Sequence, residues 1–148
     1  MQRRIIPDVV LAEDIVALNK NQSVHDAVQA MSTHNIAALA ITNGDNELVG
    51  IVSERDMTHR VLACGLNPQT TRLEEVMTDN PEALRPTDSC LDATELMLSR
   101  NFRHLPVVNG EHQVIAMVSM RDLLEVALEQ LNIDIDDVRQ EAFAPEDD

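Results

Sequence analysis

The stretch GIVSERD, residues 50–56, returns 66 positions later as AMVSMRD, residues 116–122. In both copies an apolar run ends at Val-Ser and passes through Arg-Asp into a segment with helical spacing of its apolar residues. Laid over itself at that offset, the chain aligns without a gap from residues 10–62 to residues 76–128, with 16 identities in 53 pairs. Ser23/Ser89, Asp26/Asp92, Met31/Met97, Asn35/Asn101, Gly44/Gly110 and Ser53/Ser119 are among them. The chain is therefore a duplicated structural unit, and its fold is read one unit at a time.

Each unit has the same order. Ser23 opens a segment with Val24, Ala27, Val28 and Met31 at i, i+3, i+4 and i+7, and Ser89 opens its counterpart with a broader apolar face (Leu91, Leu96, Met97, Leu98). Two short apolar runs follow, 36–42 and 48–52 in the first unit, 103–108 and 114–118 in the second, joined through Asn-Gly. That pattern predicts an antiparallel hairpin. A second helix is expected at about 54–64, closed by Gly65, and at about 120–132. Short strands are expected upstream, at Val16–Leu18 and Glu82–Leu84. The unit is β-α-β-β-α, the fold class is α+β, and two units too small to bury their sheets alone must pack on each other about a pseudo-twofold axis. The expected boundaries are residues 1–64 for the first repeat with its N-terminal segment, 65–75 for a linker, 76–131 for the second repeat and 132–148 for an acidic tail. The apolar period fades after Leu131, which predicts a tail that is mobile from Ala144.

The 148 residues carry a net charge of −15 and contain no tryptophan, no tyrosine and two phenylalanines. The core must be aliphatic. Clustered cations and stacking aromatics, which nucleic acids and anionic membranes require, are missing, so neither is an expected partner. No apolar run reaches the roughly 18 residues of a membrane span, and the N-terminus lacks the apolar stretch of a secretory leader. A cytoplasmic location follows as the expectation. Cys64 and Cys90 have no metal or disulfide spacing and read as small core residues. No histidine pair has a metal-site spacing; His25, His34, His59 and His112 read as surface residues.

Ser-x-x-Asp at a helix start is first of all a capping box, and SVHD (23–26) and SCLD (89–92) have that same spacing. The junctions at Ser53 and Ser119 differ in context. Each begins where a strand ends, so helix N–H groups face the sheet edge, a favourable place for a phosphate or sugar. Asp56 and Asp122 are able to accept from vicinal hydroxyls there, and Arg55 and Arg121 bring planar cationic donors.

The duplicated β-α-β-β-α unit, VMTDNP before the second copy, RHLPVV on a strand and GIVSERD at the last junction together resemble a pair of CBS domains, the Bateman module, over about residues 5–130. The resemblance implies a cleft between repeats that takes an adenosine-containing regulatory ligand (AMP, ADP, ATP, S-adenosylmethionine, NAD(H) or a cyclic dinucleotide), with no cofactor required. It also implies a homodimer and a protein partner that reads the ligand state. Carried over residue by residue, it sets Asp56 and Ser53 opposite Thr78, Arg103, His104 and Pro106, and Asp122 and Ser119 opposite Ala12, Ala37 and Ala38. Gly50 would allow close approach to the first site; Ala116 replaces it in the second. The first repeat lacks the basic pair and proline of RHLP, so the Asp56 site is expected to be the stronger.

Two other functions compete with sensing. A structural or interaction module would keep the fold without the ligand and show no nucleotide-dependent stabilisation. An enzyme would need a positioned acid–base or nucleophile set, and Asp56, Asp122, Arg103 and His104 do not compose one; G-x-S-x-G, GxxxxGK[ST] and GxGxxG are absent from the sequence.

Overall fold

The structure is a computed structural model that describes residues 3–12 and 15–143. In the first repeat, β1 (Ala17–Asn19) leads to α1 (Val24–His34), the hairpin β2 (Ala38–Thr42) and β3 (Leu48–Ser53), and α2 (Glu54–Asp56), prolonged by a wide π-type turn over Met57–Leu62. The second repeat has β4 (Thr78–Asp79), α3 (Cys90–Arg100), β5 (His104–Val108), β6 (Val114–Ser119) and α4 (Met120–Phe143). α1 and α3 each follow a serine whose Oγ accepts from the third helical N–H, 3.1 Å in each case. Both end on an asparagine in left-handed conformation, Asn35 (φ 51°) and Asn101 (φ 57°), which explains why these caps recur in the duplication. Gly65, at φ 69°, closes the turn after α2 as expected.

β1, β2, β3 and β4 form one sheet, in which β1 runs parallel to β2 and the other pairings are antiparallel; β5 and β6 form the second. β3 and β6 alternate between buried and half-buried residues, as strands with one covered face do. The hairpin tips are held by the Asn43 and Asn109 side chains, each accepting two backbone N–H bonds. The left-handed residue in each tip is Asn46 or His112, not the glycine of Asn-Gly. The two tips meet through an isolated Glu47–Gln113 bridge, and Ala40, Leu48, Val108 and Val114 are buried together between the sheets. This is the local axis that relates the repeats.

The strand expected at 82–84 is reduced to one parallel bridge, Leu84 to Val107. That pairing repeats the β1–β2 register, Leu18 to Ile41. Leu84 N–H donates to Pro106 O (2.8 Å) and Val108 N–H to Leu84 O (2.9 Å). The next donors along this ladder would be Pro106 and Pro86, which have no N–H, so the ladder stops on both sides.

The residues before each repeat exchange places. Residues 3–5, grouped by sequence with the first repeat, dock on the second: Cys90 N–H bonds Arg3 O, Ile5 N–H bonds Asp88 O, and Ile5 is fully buried beside Leu84, Ala93 and Met97. Residues 71–73, inside the expected linker, dock on the first in the same way. Val24 N–H bonds Thr71 O, Leu73 N–H bonds Gln22 O, and Leu73 is fully buried among Val24, Ala27 and Met31. The linker is thus a core element.

Two further readings are corrected. α4 does not end near residue 132 but runs to Phe143, and the expected mobility from Ala144 falls outside the described residues. Cys64 is exposed rather than in the core, and Cys90 is half-buried, where burial raises its thiol pKa.

Candidate functional site

A cleft of about 570 Å³ opens where the end of β3 and the start of α2 face residues 100–106 of the second repeat. That volume lies within the usual range of small-molecule sites. Ala37, Ala38, Ser53, Arg55, Asp56, Thr78, Arg103, His104 and Pro106, all singled out from the sequence, line it. Glu54 N–H bonds Ala37 O at 3.0 Å, which fixes the junction against the start of β2. Thr78 is brought in by the pairing of β4 with Ile51 on β3.

Asp56 is half-buried and both its oxygens are engaged. Oδ2 accepts from Ser53 N–H at 2.8 Å and from Ser53 Oγ–H at 3.2 Å, and Oδ1 lies 3.5 Å from Arg60 Nε. Arg60 also donates to the Val76 and Met77 carbonyls at 3.1 and 3.3 Å, next to Thr78. All four Ser-x-x-Asp sequences form capping boxes, but the return contact from Asp to the cap N–H is 2.8 Å at both junctions and 3.4 Å at Ser23 and Ser89. The motif is therefore structural everywhere, and what distinguishes Asp56 is its place in the cleft.

Four of the chain's eleven Lys and Arg residues, Arg55, Arg60, Arg100 and Arg103, line this one cleft, against the acids Glu54, Asp56 and Glu82. Arg100 pairs with Glu82 at 3.5 Å. His59 and His104 add two titratable donors. Burial pushes the His104 pKa below its ordinary value, with Arg103 acting in the same direction; the Asp122 and Glu54 charges oppose the shift without reversing it. In a chain of net charge −15, this cleft gathers more cationic than acidic side chains.

The other carried-over positions lie elsewhere. Ser119, Arg121 and Asp122 do not line the cleft; Asp122 caps α4, and Arg121 pairs with Glu125 at 3.3 Å on the solvent side. Ala37 and Ala38, expected opposite Asp122, form the wall of the Asp56 cleft, and Ala12 is exposed outside it. Gly50 has a different role from the one expected: a Cβ there would collide with Met77 Sδ and Cγ, so the missing side chain makes room for Met77 and not for a ligand. The sequence reading missed Arg60, Arg100 and Glu82. Arg60 was legible in principle, since it stands one helical turn after Asp56.

The CBS domain pattern matches residues 8–63 and again residues 73–129, so the chain belongs to the CBS domain family as a tandem pair. More particularly, it is 35% identical over 117 residues to the CBS domain-containing protein CBSCBSPB2 of Arabidopsis thaliana, a match covering 78% of this chain and 22% of that relative. The chain thus spans about a fifth of that relative's length. A protein with CBS domains from Burkholderia ambifaria MC40-6 superposes with a TM-score of 0.75 at 33% identity, covering 80% of this chain and 85% of that one. The CBS domain pair of protein MJ0100, in complex with 5′-methylthioadenosine and S-adenosyl-L-methionine, superposes with a TM-score of 0.76 at 23% identity, covering 88% and 99%. No helix among the described residues is long and apolar enough to cross a membrane.

Proposed function

We propose that this CBS pair is a ligand-sensing regulatory module that takes an adenosine-containing small molecule (AMP, ADP, ATP or an NAD-type dinucleotide) in the cleft beside Asp56 and signals to a protein partner. The observation that carries this reading is the convergence of Asp56 with Arg55, Arg60, Arg100 and Arg103 on one cleft of an acidic chain. A carboxylate suited to ribose hydroxyls and guanidinium groups suited to phosphate fit the two ends of a nucleotide. The adenosine ligands of the MJ0100 pair support the same class. Asp122, with no comparable arginine set, is the weaker site. The proposed role is binding: Asp56 is held in a cap and an ion pair with Arg60, and Glu82 is paired with Arg100. Its output is a shift between states for which the ligand has unequal affinity. The setting is cytoplasmic, consistent with two free cysteines, and the working form is a homodimer.

One contact favours a second reading. Asp56 Oδ1 is already paired with Arg60, and a module that keeps this pair closed would serve as an interaction scaffold without nucleotide. Thermal unfolding with AMP, ADP, ATP, NAD and NADH, and with GMP as control, separates the two. Ligand at 100 times its Kd stabilises by about 2.7 kcal/mol, a rise of about 5 °C in Tm. Flat curves across the panel contradict the sensor and support the scaffold.

A further inference from the structure

From Leu131 to Ala142 every residue of α4 is exposed. The helix is 24 residues long, about 36 Å, and its body contacts include Leu123, which is buried, and Arg3, which reaches Glu129 at 3.3 Å and Gln130 at 3.4 Å. An isolated helical segment of this length is marginal in water. Yet six of its apolar residues form a row spaced by alternating four and three, Leu124, Leu128, Leu131, Ile135, Val138 and Ala142, with the exposed Ile133 off this row. The five large ones are 40–64% exposed. A period of 3.5 is the seam of a left-handed coiled coil, with Leu124, Leu131 and Val138 at d and Leu128, Ile135 and Ala142 at a.

We propose that α4 pairs with α4 of a second copy of this chain as a parallel two-stranded coiled coil, along this seam. Charge selects the occupant and the direction. In the parallel register the flanking positions bring Asp134 against Arg139 of the other copy, twice by symmetry, with no like-charged pair across the seam between residues 120 and 139. Arg139 has no ion pair among the described residues, and Asp134 uses only Oδ1, which accepts from Gln130 at 3.0 Å. An antiparallel pairing would set Asp134 against itself and would draw Arg139 to Glu125, which already holds Arg121. Glu129, Asp136 and Asp137 fall on the outer face of the helix, and of the acids that flank the seam, Glu125, Asp134 and Glu141, Asp134 meets Arg139.

The test is sedimentation equilibrium of the full chain. The wild type is expected to be dimeric, and Ile135→Asp with Val138→Asp, on a segment whose residues are all exposed, weakens the dimer at least about a hundredfold with Tm of the body unchanged. Arg139→Asp weakens it about tenfold, and adding Asp134→Arg restores it, which only the parallel register allows. A monomeric wild type, a dimer indifferent to Ile135→Asp/Val138→Asp, or a charge swap that fails to rescue would each overturn the proposal; the second of these would place the interface on the body helices.

Discussion

The junctions at Ser53 and Ser119 are built alike and surrounded differently. Each has the 2.8 Å cap contact, and each is tied to the residue just before the first strand of its hairpin, Glu54 N–H to Ala37 O and Met120 N–H to Arg103 O. One turn further on, Arg60 reaches back to Asp56, whereas Val126 occupies that place beside Asp122. At the starts of the facing strands, Arg103 and His104 replace Ala37 and Ala38. Duplication conserved the device that holds the carboxylate, and divergence decided which copy looks into a charged cleft. A motif shared by two sites therefore reports their architecture, and the residues around it report their chemistry.

The largest expected effect tests the strand difference between the repeats. Ala40 stands where Pro106 does, and Ala40→Pro removes the donor that lets β1 form a ladder on β2; the lost bond and the orphaned acceptor should together cost about 3 kcal/mol in denaturant unfolding. Pro106→Ala should change stability by less than about 1 kcal/mol. Next, Arg103→Ala should weaken binding of a phosphorylated adenosine ligand by about 2 kcal/mol and leave adenosine itself nearly unaffected. Equal losses for ATP and adenosine would remove Arg103 from the phosphate end. Gly50→Ala should then cost about 1 kcal/mol by displacing Met77, an effect relieved in the Met77→Ala background. Ala116→Gly in the other repeat costs a similar amount through chain entropy and has no such rescue.

The smallest effect is protonic. Unfolded His104 titrates near 6.5 and folded His104 below it, so the unfolded chain binds more protons as pH falls through that interval. The stability contribution is present above about pH 6.5 and lost on acidification through the folded pKa. His104→Gln should flatten that fall. An anionic ligand beside His104 raises its pKa, so binding at about pH 6 should take up a fraction of a proton, read from titration heats in two buffers of different ionisation enthalpy.

The duplicated unit, both hairpins and the helix caps were legible because period, turn chemistry and caps are local signals, and nine of the residues that line the cleft were named from the sequence. The exchange of Arg3–Ile5 and Thr71–Leu73 was not. These segments lie 68 rather than 66 positions apart, share a single identity (Arg4/Arg72), and gain meaning only when Ile5 and Leu73 find a core contributed by the other repeat. The role of Gly50 was hidden for a similar reason, since Met77 reaches it across the β3–β4 pairing. The second half of α4 was misread because its apolar spacing serves a seam at period 3.5 and never turns toward the core. The missing ladder at residues 82–84 was readable, had Pro86 and Pro106 been considered together as absent donors.

The central claim is that one carboxylate, Asp56, anchors an adenosine ligand while its duplicate does not. Titration calorimetry of AMP into the wild type, Asp56→Ala and Asp122→Ala tests it most directly, because each variant loses the same helix cap and so controls for the other. The account predicts one dominant site per chain, an affinity loss of about a hundredfold in Asp56→Ala and near wild-type binding in Asp122→Ala. Equal losses in the two variants, or heats that vanish in neither, would contradict it.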